Sequence, residues 1–135
     1  MLNTQALALE QAPPFLVPMR FFMMAPLFVS IAGVLLISHG QEIFASRWNP
    51  LSLALTHLIT LGFLTQIMIG AMLQLLPVLV GAPVPGVAGV SLGTQFFLVL
   101  GTGLLVTGFL LQAPLWLVGG GAVLSIAFGL FLTAT

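Results

Sequence analysis

Four long apolar stretches, separated by short segments rich in proline, glycine or charge, dominate the pattern of the chain. They cover residues 17–38, 51–80, 88–111 and 115–132. Because about 20 apolar residues cross a bilayer as a helix, each stretch predicts one membrane span. We therefore predict an all-α membrane protein, with an N-terminal interfacial segment at residues 1–16 and a single four-helix membrane domain at residues 17–135.

The second predicted span carries polar side chains on an otherwise apolar helix. At about 100° per residue, Gly62, Gln66 and Gly70 share one face, which can pack closely against another helix. The opposite face carries the imidazole of His57. The residues on this face are His57, Thr60, Leu64, Ile67, Met68, Ala71, Gln74 and Leu75. A histidine inside a membrane helix is costly, so this face predicts a functional site.

The composition supports a membrane location and excludes several functions. Hydrophobic residues make up 60% of the chain and charged residues 3%, with a formal net charge of zero. Nucleic-acid binding is excluded because phosphates require many lysines and arginines. The lack of cysteine excludes disulfides, thiolate metal sites and covalent haem attachment. We expect an integral protein of the bacterial inner (cytoplasmic) membrane, with bilayer lipid as its surroundings and no cleaved signal peptide.

His57 is the main candidate ligand, and haem is the cofactor that suits it best. A b-type haem needs apolar walls, an axial nitrogen and a counter-charge for its propionates. The alternative is that His57 is a packing histidine, hydrogen-bonded to Thr60 or to a neighbouring helix. His39 is a second, less favoured candidate ligand, and copper bound by methionine thioethers is the less favoured metal. Arg20 is either an interfacial anchor or a partner for a haem propionate.

The first two spans resemble a known family. The segments that carry the resemblance are residues 18–22 (PMRFF), 56–63 (THLITLGF), 69–71 (IGA) and 76–83 (LPVLVGAP). The last three resemble the second helix of the haem–copper oxidase catalytic subunit, in which a haem-ligating histidine is followed by glycines and a P-x-x-x-G-A-P ending. With the first segment, residues 17–85 are most similar to the NnrS-type membrane proteins of that superfamily, which are linked to nitric oxide.

The resemblance implies a fold and an assembly. The oxidase subunit has twelve helices in three arcs of four, so this chain resembles one four-helix arc. Under the haem hypothesis, with or without this resemblance, His57 is the axial ligand, Arg20 and Arg47 are the propionate partners, and Thr60 and Gln74 lie in the shell around the site. Three copies could rebuild the whole fold, and two could give one haem two histidines; we favour the trimer over the dimer. Since the chain has no tyrosine, oxygen reduction and proton pumping are not implied.

Three functions are consistent with these patterns. The leading one is a small oligomeric haem-b protein that acts in electron transfer, with an unidentified redox partner, or in binding nitric oxide or another gas. The second is a cofactor-free structural or assembly subunit whose glycine-rich third and fourth spans form helix interfaces. The third is a channel or carrier lined by Thr56, Thr60, Gln66 and Gln74. The patterns leave open whether the protein is an enzyme.

Overall fold

The computed structural model describes residues 9–82 and 84–133, and they are helical apart from the connections. Four helices are long and apolar enough to cross a membrane. We number them in chain order: α1 is Leu16–Ala45, α2 is Pro50–Val80, α3 is Val87–Leu110 and α4 is Pro114–Leu132. The predictions for α2, α3 and α4 agree with these bounds to within one residue. The first half of the predicted N-terminal segment, residues 1–8, lies outside the described residues.

The first helix is longer than predicted. It continues beyond residue 38 to Ala45, and its non-helical dihedral angles occur at His39, with φ of −132° and ψ of 23°. The segment that the sequence predicted as a connection therefore begins with a bent continuation of α1. The start of the connection was predicted too early, because His39-Gly40 and the polar residues that follow end the apolar pattern without ending the helix.

Two close glycine contacts hold α1 and α2 together. A β-carbon placed at Gly70 would lie 3.0 Å from Cβ of Phe21 and 3.2 Å from the Pro18 carbonyl oxygen. A β-carbon at Gly62 would overlap Phe28. Because both positions lack a side chain, the two backbones approach each other closely along this seam. The predicted packing face of α2 is thus confirmed.

The fourth helix packs chiefly on α3. A β-carbon at Gly101 would lie 2.9 Å from the Leu124 nitrogen, and one at Gly120 would lie 2.7 Å from the Leu105 nitrogen. Small residues therefore bring α3 and α4 into close contact. In the described part of the chain, α1 and α2 make only slight contact with α4, so the four helices form an open array rather than a closed bundle.

A π-helical stretch interrupts α2. Residues Leu58–Thr65 form it, directly after the α-helical segment Pro50–His57. A side-chain hydrogen bond follows the same wider spacing. The Thr65 hydroxyl donates to the carbonyl of Thr60, five residues earlier, at 2.8 Å. Such stretches are rare and frequently occur at functional sites. This one begins at the residue after His57.

Candidate functional site

The imidazole of His57 is held by its own helix. Its Nδ1 lies 2.7 Å from the Leu53 carbonyl oxygen, one turn earlier. A carbonyl oxygen only accepts hydrogen bonds, so Nδ1 carries the proton and, in the neutral ring, Nε2 carries the lone pair. In the described chain Nε2 has no hydrogen-bond partner. The ring therefore presents one nitrogen that is able to ligate.

An aromatic side chain of α3 flanks this histidine. The ring of Phe109 lies 4.9 Å from the His57 ring, centroid to centroid, at an interplanar angle of 32°. Both residues are half-buried. Phe109 limits the rotation of the imidazole, so the ligand candidate is fixed by a hydrogen bond at Nδ1 and by a ring contact. Sequence analysis did not identify Phe109, because nothing in an apolar helix marks which phenylalanine will meet a histidine of another helix.

The face of α2 that carries His57 points out of the protomer. Thr60, Leu64, Met68 and Leu75 are all exposed, whereas Gln66 on the opposite face is fully buried. The predicted packing of the Gly62, Gln66 and Gly70 face is confirmed, and the His57 face is the more exposed of the two. A ligand on His57 would therefore be covered by lipid or by another subunit, since the rest of the protomer lies behind it.

Three of the predicted site residues lie toward the same end of the helices as His57. Arg47 is exposed and lies just before α2 begins, where its guanidinium carbon is 5.4 Å from the Trp48 ring centroid. Thr60 follows His57 by about one turn, and its hydroxyl donates to the Thr56 carbonyl at 2.8 Å. His39 lies in the last turns of α1, where it is exposed beside an open cavity of about 410 Å³. Within the described residues no hydrogen bond or ring contact joins His39 to His57.

The other two predicted site residues lie at the opposite end of the helices. Gly70 contacts the start of α1, and it is thirteen residues from His57, or roughly 20 Å along the helix axis. Arg20 lies at the depth of Gly70, and Gln74 lies one turn further on. Within one chain, neither Arg20 nor Gln74 is therefore brought to His57.

Arg20 is bound to α3 instead. Its Nη2 donates to the Ser91 hydroxyl at 2.5 Å and lies 3.5 Å from the Ala88 carbonyl oxygen. The Gln95 amide nitrogen donates to the backbone carbonyl of Arg20 at 2.8 Å. These contacts place the guanidinium at the seam between α1 and α3. Ser91 was not predicted, because its role depends on the register between two helices that are distant in sequence.

The residues proposed to line a channel lie on different faces of α2. Thr56 and Thr60 are exposed on the outer face of α2, and each hydroxyl donates to a backbone carbonyl of its own helix. Gln66 is fully buried on the packed side, and neither atom of its amide has a partner in the described chain. The structure therefore separates the polar groups that this reading of the sequence had combined.

The described residues contain no group of three or more His, Cys, Asp or Glu side chains placed to hold a metal ion. Comparisons with protein-family models, curated proteins and solved structures give no match to this chain.

Proposed function

We propose that the chain is an oligomeric membrane protein that binds b-type haem through His57 and acts in electron transfer or in binding nitric oxide or another gas. The observation that carries this proposal is the hydrogen bond from Nδ1 of His57 to the Leu53 carbonyl. Metal-ligating histidines almost always donate their second ring nitrogen in this way, which orients the ring and raises the basicity of the ligating nitrogen.

The surroundings of His57 fit a haem better than a bare metal ion. A metal ion bound by side chains needs three or four ligands, whereas haem iron needs only one or two from the protein. His57 supplies one such ligand. The outer face of α2 beyond it, with Leu64 and Met68, is apolar and exposed, as the wall of a macrocycle site must be. Phe109 closes the site on the side of α3.

Arg47 is the cation that lies on the same side of the membrane as His57. It is exposed and close to the start of α2, so its side chain is free to pair with a carboxylate at the membrane surface. We assign it, rather than Arg20, as the propionate partner of a haem on the same chain. In this site the chain's residues bind and orient, and a b-type haem held there supplies one-electron chemistry or an open position for a gas.

An oligomer completes this arrangement. Because the His57 face is directed outward, a second copy in the proposed oligomer covers the side of the ligand that would otherwise face lipid. Three copies resemble the arcs of the oxidase subunit, whereas two copies related by a two-fold axis would give one haem a pair of His57 ligands. We favour the trimer, as the open array of helices leaves the outer faces of both terminal helices available for contact.

The proposal is tested by optical spectra of the detergent-purified wild-type protein, expressed with haem supplied, and of two variants. We expect a Soret band in the wild type that His57→Ala removes and His39→Ala retains. His39 is the matched control because it is exposed and outside the His57 contacts. A colourless wild type, or a band unchanged by His57→Ala, would refute the proposal.

The haem content per chain then distinguishes the two-histidine dimer from an assembly in which each chain holds its own haem. A pyridine haemochrome assay that gives one haem per two chains, with sharp reduced α and β bands, would indicate the two-histidine dimer and electron transfer. One haem per chain, with a spectrum that shifts on addition of nitric oxide or carbon monoxide, would indicate an open iron position and gas binding.

A second candidate, the cofactor-free assembly subunit, is favoured by the outer face of α3 and α4. A β-carbon at Gly89, Gly103, Gly121 or Gly129 would meet no atom within 4 Å. Small residues with nothing packed on them suit a helix of another protein. In this case, Gly103→Ile and Gly121→Ile would dissociate the assembly in native gels, and His57→Ala would leave it intact.

A further inference from the structure

Among the residues that the structure describes, the positive charge of Arg20 has no acidic partner. The chain's two acidic residues are Glu10, before α1, and Glu42, near the end of α1. Within the described chain neither contacts Arg20, whose hydrogen bonds go to the uncharged Ser91 and Ala88. Its Nε is buried without a partner. A cation at the membrane boundary that lacks a counter-charge in its own protein is suited to bind an anion.

An apolar groove leads away from this cation. Two adjoining cavities of about 330 and 390 Å³ share Met24 and Gln95, and Arg20 lines one of them. Together they form what we call the α1–α3 groove, lined chiefly by Arg20, Met24, Leu27, Gln95, Phe96 and Leu100. It extends seven residues along α1 from Arg20, or about 10 Å. The groove therefore joins a charged end to an apolar trough.

We infer that the α1–α3 groove binds one anionic phospholipid, with its phosphate at Arg20 and one acyl chain along Met24 and Phe96. Arginine pairs with phosphate through strong, charge-assisted hydrogen bonds. Both α1 and α3 begin at this side of the membrane, and the positive ends of their helix dipoles add to the attraction. Arg20 lies in the early turns of α1, at the depth where phospholipid headgroups meet the hydrocarbon.

The walls of the groove are held in place before a lipid binds. The Gln95 amide donates to the Arg20 backbone, and Ser91 accepts from the Arg20 guanidinium, so α1 and α3 are joined at the charged end. Little side-chain ordering at that end is then required on binding. Phe96 is 59% exposed, which leaves its ring free to lie against an acyl chain.

A second copy of the chain fits the groove less well than a phospholipid does. A helix from another copy could fill the apolar trough, but it would bring no anion to Arg20. Glu10 lies before α1, in a cavity that Pro77 and Val87 also line, and Glu42 lies near the far end of α1, so neither stands on an apolar membrane-spanning face that could fill the trough. Charge complementarity therefore favours a lipid over a subunit.

The test measures lipid retention by native mass spectrometry on the full chain in mild detergent. The probes are phosphatidylglycerol and phosphatidylcholine with identical acyl chains. We expect the wild type to retain phosphatidylglycerol preferentially and Arg20→Gln to retain it about tenfold less, as expected for loss of one charge-assisted contact. Arg47→Gln, which removes the other arginine at the opposite end, is the matched control and should retain it as the wild type does.

A second variant tests the trough without altering the charge. Met24→Trp fills the groove and should reduce retention of phosphatidylglycerol even where Arg20→Gln folds poorly. Equal retention of the two lipids by the wild type, or retention unaffected by both variants, would overturn the proposal. Binding of free oleate in place of phosphatidylglycerol would also overturn the proposal. A disulfide cross-link between two copies carrying Leu27→Cys and Leu100→Cys would overturn it as well, because it would place a second subunit in the groove.

Discussion

Substituting Gly62 by alanine tests the seam between α1 and α2 most directly. The new β-carbon would overlap Cγ and Cδ1 of Phe28 and would lie 2.6 Å from its Cβ. Rotation about χ1 of Phe28 can move Cγ and the ring but cannot move Cβ, which is bonded to the backbone. The two helices must therefore separate, and the whole length of the seam is affected.

The expected change in the free energy of unfolding is the difference between two opposing effects of the Gly62→Ala substitution. Overpacking of a close interface costs about 1–3 kcal/mol, and the upper value applies here because the backbone must move. Alanine is preferred over glycine in a helix by about 1 kcal/mol, which offsets part of this cost. We expect Gly62→Ala to lower the free energy of unfolding by about 2 kcal/mol. Gly33→Ala is the control, since a β-carbon at Gly33 meets nothing within 4 Å.

The assay is reversible unfolding in mixed detergent micelles, followed by circular dichroism. We expect Gly33→Ala to be as stable as the wild type or slightly more so. The double variant Phe28→Ala/Gly62→Ala should lose less stability than the sum of the single changes, because removing the ring relieves the clash. If Gly62→Ala and Gly33→Ala unfold at the same detergent fraction, the described contact between α1 and α2 is wrong.

Three further substitutions have expected outcomes in the same unfolding assay. Gln66→Met should raise stability by about 1–3 kcal/mol, because it removes a fully buried amide with two unpartnered atoms; a loss of stability would mean that the amide is satisfied. Asn49→Ala should cost about 1 kcal/mol, since the Asn49 side chain caps α2, and no change would refute that role. Gly120→Ala should destabilise the contact of α3 with α4, because the new β-carbon would press on the Leu105 backbone. Gly121→Ala should not, because its β-carbon would meet nothing within 4 Å. Equal effects of the two substitutions would contradict the described packing.

The hydrophobic pattern predicted the four helices and the orientation of α2 because both depend on local sequence. Gly62, Gln66 and Gly70 are buried and Leu64 and Met68 are exposed, as the helical period requires. The bend at His39 and the length of α1 escaped prediction, since a polar helix that continues past the apolar stretch has the pattern of a connection. The π-helical stretch also escaped prediction, because a mostly apolar run of eight residues gives no period by which to distinguish two kinds of helical turn.

The candidate site could be predicted only in part, because most of it depends on contacts between helices. His57 could be identified from one helix alone, because a lone imidazole in an apolar span is unusual wherever it lies. Its partners could not, because the Phe109 contact and the separation of Arg20 from His57 depend on how helices distant in sequence pack together. The haem hypothesis grouped Arg20 and Gln74 with His57, whereas the described chain holds them at its other end.

The distance between Arg20 and His57 makes the two proposed sites separable by mutation. They lie roughly 20 Å apart along the helix axis, at opposite ends of the span. Arg20→Gln should therefore reduce phosphatidylglycerol retention and leave the Soret band unchanged, whereas His57→Ala should do the reverse. Loss of both signals in Arg20→Gln, in a protein whose circular dichroism and oligomeric state match those of the wild type, would mean that a single ligand bridges Arg20 of one copy and His57 of another. Haem would then be the anion that Arg20 binds, and the separate lipid site would be refuted.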